Sequence, residues 1–121
     1  MPASIAHRIV FATLMVVSPL LSQAEPMAWI SNQGSNSLSV IDTATDTLSG
    51  GPITLPPLPH AVAVSATRVY VTHGNGILSI IDKATRMVST KSFPSNTLAG
   101  VAVGPDGSRV YASGYGTDQL F

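Results

Sequence analysis

The chain has no cysteine. Disulfide frameworks and thiolate-held metals are therefore excluded, although the count alone names no compartment. Charge is also scarce: six Lys and Arg stand against six Asp and Glu in 121 residues, so the formal charge cancels. Nucleic acid and anionic membrane surfaces need clustered positive charge to displace counterions, and neither is an expected partner. No Gly-x-Gly-x-x-Gly, phosphate loop, serine-nucleophile motif or His-Glu-x-x-His is present. No stretch of the repeating part keeps a 3.6-residue apolar rhythm, which argues against a helical repeat.

What the chain does have is punctuation. Ten glycines and nine prolines divide a length that normally forms a single domain. The mean hydropathy of +0.33 is raised by the N-terminus. There, His7 and Arg8 precede a mostly apolar run from Ile9 to Leu21, followed by Ser22-Gln23-Ala24 and then Glu25-Pro26. This is the pattern of a cleaved secretory signal over residues 1–24, with cleavage after Ala24. The rival readings are a buried helix or an uncleaved anchor. Thirteen residues at about 1.5 Å each reach only about 20 Å, short of a hydrocarbon core of about 30 Å. Pro19 would also interrupt a spanning helix. A stable membrane span is not expected, and the implied destination is the periplasm or the exterior.

From Met27 onward, short β-rich runs alternate with turn clusters. Ser37-Leu38-Ser39-Val40-Ile41 alternates polar and apolar, the period of a half-buried strand. Thr47 to Leu55 is broken by Gly50-Gly51-Pro52, which suits an outer edge strand. Pro56-Pro57-Leu58-Pro59 is a stiff linker, and Ala61 to Val64 reads as a strand buried on both faces. The order then recurs. Trp29, Tyr70 and Tyr111 are spaced by 41 residues, Asp42 and Asp82 by 40, and Val62 and Val101 by 39. The turn Gly104-Pro105-Asp106-Gly107 restores the residues lost earlier. Four short strands per roughly 40 residues is the period of a β-propeller blade. A β-sandwich with regular turns is the plainer alternative. Repetition of side-chain identities, and not of spacing alone, favours the propeller.

Arg68 to Asp82, RVYVTHGNGILSIID, with the Lys83-Ala84-Thr85 that follows it, resembles the YVTN β-propeller repeat. So does Ser39-Val40-Ile41-Asp42-Thr43-Ala44-Thr45, and Val101 to Gly107 resembles that repeat's apolar strand and Pro-Asp-Gly turn. His73 stands where the repeat usually has Asn. The resemblance covers nearly all of residues 27–116 and implies an all-β propeller of four-stranded antiparallel blades. The expected strands are 27–55 in blade 1, 61–93 in blade 2 and 101–121 at the start of blade 3. A ring of about 4–8 blades needs more strands than these, so the chain reads as an incomplete propeller. Further blades or self-association would be needed to close the ring.

No residue set amounts to a catalytic or metal centre, and no cofactor is expected. Asp42, Asp82 and Asp106 occupy turns, where Asp accepts from backbone N–H groups. Trp29, Tyr70 and Tyr111 share one repeat position, where packing one blade on the next outweighs a ligand platform. His73 reads as a plain turn substituent. His60 is the one candidate for ligand binding: it opens an inner strand at the channel rim, where an imidazole can ligate or exchange protons. Ala99 holds the equivalent place in the next blade. The reading is a secreted, non-catalytic module for binding an unknown protein or small molecule, leaning away from an enzyme. The resemblance leaves two rivals: part of a propeller enzyme (a lactonase-like hydrolase, or a partner of a quinone or haem oxidoreductase), and a cell-surface adhesion repeat.

Overall fold

The computed structural model describes residues 26–94, 97–116 and 118–121. The signal read at 1–24 lies outside the described residues, as do Ser95 and Asn96 of the last linker. Three antiparallel sheets follow one another along the chain. The first holds β1 (Met27–Asn32), β2 (Ser37–Asp42), β3 (Thr47–Leu48) and β4 (Ile53–Thr54). The second runs in chain order through β5 (Pro59–Val64), β6 (Arg68–His73), β7 (Ile77–Asp82) and β8 (Val88–Ser92). The third holds β9 (Leu98–Val103), β10 (Val110–Gly114) and the short β11 (Gln119–Leu120). These are successive blades of a β-propeller.

The sequence explains the breaks. Gly50, Gly51 and Pro52 split the outer strand of blade 1 into β3 and β4, and both halves still pair with β2. Asn36 and Gly76 hold the same turn position in successive blades. Both adopt positive φ, at 49° and 79°, the region Asn and Gly enter most readily. Strand alternation then sends opposite faces of blade 2 into two separate cores. Val69, Val71 and Ile81 meet Leu38, Val40, Ile53 and Leu55 of blade 1. On the other side, Tyr70 and Leu78 meet Leu98 and Ala112 of blade 3. Each core is thus an interface between neighbouring blades.

Two expectations need correction. The inner strands begin earlier than residues 61 and 101, at Pro59 and Leu98. Nor is the run from Ala61 to Val64 buried on both faces: Ala61, Val62 and Ala63 are half-buried and Val64 is exposed. The physical reason is that, among the described residues, β5 pairs only with β6, which leaves its inner edge without a strand partner, and its alanines are small. A wholly apolar run there reports proximity to the channel and not complete burial.

Candidate functional site at the inner-strand rim

Because the strands run antiparallel, each blade has two rims. On one, the inner strand starts, the second strand ends and the Pro56–Pro59 linker arrives. On the other lie Ser65 to Thr67, Asp82 to Arg86 and Gly104 to Arg109. His60 stands on the first rim with an exposed side chain, directly after the buried Pro59. Its backbone carbonyl accepts from Ser31 Oγ of blade 1 at 2.9 Å, so the blade junction fixes the residue while its imidazole stays free to meet solvent.

That contact is one instance of a repeated device. Ser31, Thr72 and Ser113 share a repeat position, as do His60 and Ala99. Thr72 Oγ1 donates to Ala99 O at 2.8 Å, matching the Ser31 to His60 contact one blade on. The hydroxyl also serves its own blade: Ala61 N–H donates to Thr72 Oγ1 at 3.1 Å, and Gly100 N–H to Ser113 Oγ at 2.9 Å. The ladder shifts register at just these places, between Pro59 and Val62 and between Ala112 and Gly114. A bulge frees backbone groups from the ladder, and buried ones need another partner. The hydroxyl is that partner, and it joins adjacent blades in the same contact.

The three aspartates occupy the other rim in separate turns. Asp42 Oδ1 accepts from Ala44 N–H at 2.9 Å. Asp82 Oδ1 accepts from Ala84 and Thr85 N–H at 2.9 and 3.0 Å. Asp106 Oδ1 accepts from the backbone N–H and hydroxyl of Ser108. Bonds to Thr85 and Ala84 hold the Asp82 carboxyl below its ordinary range, and those to Ser108 do the same for Asp106. A cleft of about 390 Å³ beside Arg68, Ile80, Asp82 and Met87 belongs to this rim as well. Among the described residues, no group of three or more His, Asp or Glu could hold a metal ion.

The aromatic position is spread over three environments. Tyr70 is buried in the interface between blades 2 and 3, and Trp29 is half-buried against the interface between blades 1 and 2. Tyr111 is 44% exposed on the outward face of blade 3. Among the described residues, Trp29 Nε1 is buried and meets no hydrogen-bond partner. The three rings therefore do not converge on one platform.

His73 departs most from its reading as a turn substituent. It is the last residue of β6, and its side chain is fully buried. Nδ1 lies 2.9 Å from Pro57 O, and Nε2 lies 2.7 Å from the buried Ser79 Oγ. A carbonyl only accepts, so Nδ1 carries the proton and Nε2 accepts from the serine in the neutral ring. The physical reason for the correction is that the ring continues the buried face of β6 and reaches two polar partners there. Burial lowers its pKa, and hydrogen bonds to Pro57 and Pro56 offset this only in part. Repeat alignment held the signal: Asn32 is its equivalent, and Asn32 Nδ2 donates to Ser39 Oγ at 2.8 Å.

No protein-family model matches the chain, and no curated protein matches it. Among solved structures, it is similar to Kuenenia stuttgartiensis hydrazine synthase, with a TM-score of 0.70 and 23% identity over 74% of this chain and 26% of that one. It is also similar to dihydro-heme d1 dehydrogenase NirN in complex with DHE, with a TM-score of 0.68 and 17% identity over 83% of this chain and 22% of that one. The chain spans roughly a quarter of the length of either. At these identities the likeness is one of fold.

Proposed function

We propose that the chain is an exported, non-catalytic β-propeller module of the YVTN type that binds a ligand or partner protein on the inner-strand rim at His60. The observation that supports this is His60 itself: an exposed imidazole whose backbone is fixed at a blade junction. The aspartates that could have assisted it are engaged in turns on the opposite rim. Export rests on the residue pattern of 1–24, and N-terminal sequencing of the product recovered from the periplasm is expected to begin at Glu25. A product beginning at Met1 would overturn that part of the reading.

A second reading is favoured by the two similar structures, a synthase and a dehydrogenase, the latter in complex with DHE. On it, the chain belongs to a haem-linked enzyme and His60 is a ligand from the protein side. Titration with haem, followed by visible absorption, separates the two. The binding-module reading expects no His60-dependent spectrum, whereas a haem spectrum lost in His60→Ala would establish the rival. Since the His60 side chain is exposed, His60→Ala is expected to leave stability within about 0.5 kcal/mol. A change in the spectrum would then report ligation and not unfolding.

A further inference from the structure

We propose that His73 is a pH-sensitive clamp, a positioning residue that holds the Pro56–Pro59 linker and through it the rim strand carrying His60. The clamp is built from adjacent contacts. His73 Nδ1–H donates to Pro57 O, and the next residue, Gly74, donates its N–H to Leu58 O at 2.9 Å. Leu58 N–H in turn donates to Asn36 Oδ1 of blade 1 at 3.2 Å. Leu58 sits at a φ of 61°, a conformation a leucine does not favour on its own. The linker therefore depends on these bonds to keep its course, and His60 follows it by only one residue after Pro59.

Protonation puts a charge where nothing balances it. Both ring nitrogens face uncharged partners, the Pro57 carbonyl and the Ser79 hydroxyl. Of the elements packed around β6, β9 carries no ionisable group and the linker none. β5 carries His60, whose side chain is exposed, and β7 carries Asp82 at its far end. Blade 1 contributes Asp42 at the far end of β2, and β6 itself contributes Arg68 at its own far end. Among the described residues, no carboxylate meets the imidazole. A buried unpaired cation is costly, and the Pro57 and Leu58 that the ring and Gly74 hold are themselves exposed. Displacing them lets water reach it.

The sign follows from linkage. The folded state favours the neutral ring, so the unfolded chain binds the proton more readily. The stabilising effect is complete above the ordinary imidazole value near ~6.5 and declines as pH falls below it, towards the lowered folded value. His73 therefore raises the unfolding equilibrium constant between pH 7.5 and 5.5, by at most about tenfold. Asp82 and Asp106, held below the ordinary carboxylate range, titrate outside this interval.

The decisive variant is His73→Asn, because Asn32 shows that an asparagine at this position still bonds the equivalent serine. Urea unfolding of the full chain and the variant at pH 7.5 and 5.5 should show the loss of stability on acidification in the full chain and its near absence in His73→Asn. Equal pH dependence in both would overturn the proposal. A second measurement on the unaltered chain does not depend on the variant folding. Imidazole ¹H–¹⁵N correlation should show the Nδ1–H tautomer, and amide protection at Leu58 and Gly74 should fall on acidification. An Nε2–H tautomer, or unchanged protection, would also overturn it. The consequence for binding rests on the reading of the His60 rim as the ligand face. These measurements need no ligand, so the clamp and that reading fail separately.

Discussion

Replacing Leu38 by alanine is expected to destabilise the fold by about 2–5 kcal/mol, the range for deleting a fully buried leucine side chain. Leu38 has no exposed surface and sits among Val69, Val71 and Ile81 of blade 2. The cavity would open between two sheets, and backbone hydrogen bonds within each blade restrain its collapse. Small domains are stable by only about 5–15 kcal/mol, so thermal unfolding of Leu38→Ala should shift by many degrees or lose its cooperative transition. Leu120→Ala is the matched control. It removes the same atoms from a side chain that is 72% exposed, and a shift beyond about 0.5 kcal/mol there is not expected. Similar losses in both would mean that burial between blades is not what stabilises the chain.

The second large effect belongs to a single oxygen. Thr72→Val keeps the side chain's shape and removes the hydroxyl that accepts from Ala61 N–H and donates to Ala99 O. Thr72 has no exposed surface, so water cannot readily take its place. Leaving such groups unpaired costs about 1–3 kcal/mol each. Thr72→Ser keeps the hydroxyl and loses one methyl, worth about 1 kcal/mol. Chemical unfolding should therefore rank the full chain above Thr72→Ser and Thr72→Ser well above Thr72→Val. If Thr72→Val proves as stable as Thr72→Ser, the hydroxyl is not what joins the inner strand to the next blade.

The all-β antiparallel fold and the outer-strand break at Gly50 to Pro52 were legible in the sequence, because they follow from two-residue alternation and from residues with restricted backbones; the starts of the inner strands were not. His73 was not legible in isolation. A histidine beside Gly74-Asn75-Gly76 has the local features of a turn, and only its tertiary partners, Pro57 and Ser79, place it in the core. The alignment with Asn32 and Ser39 carried the needed information, but in a pair of residues and not in one. The hydroxyls Ser31, Thr72 and Ser113 escaped for a related reason: serine and threonine are common in strands, and their meaning lies in a bulge that periodicity does not reveal. Arg86 shows the same limit. It bonds the backbone and hydroxyl of Ser49 in the preceding blade, and no motif of its own turn announces a partner 37 residues away.

The turns that close the inner hairpins have one further consequence. Ser65 N–H donates to Arg68 O and Gly104 N–H to Arg109 O, both at 2.8 Å, although the second turn is two residues longer than the first. The same closing contact thus terminates loops of different length, and the strands beyond it resume in phase, with Tyr70 and Tyr111 at matching positions of their ladders. Loop length on that rim is therefore a free coordinate of the architecture, while side-chain phase is not. Insertions between Ser65 and Arg68, or between Gly104 and Arg109, can reshape one surface of the ring without exchanging the face that meets one neighbouring blade for the face that meets the other. A single residue inserted within β6 would reverse both.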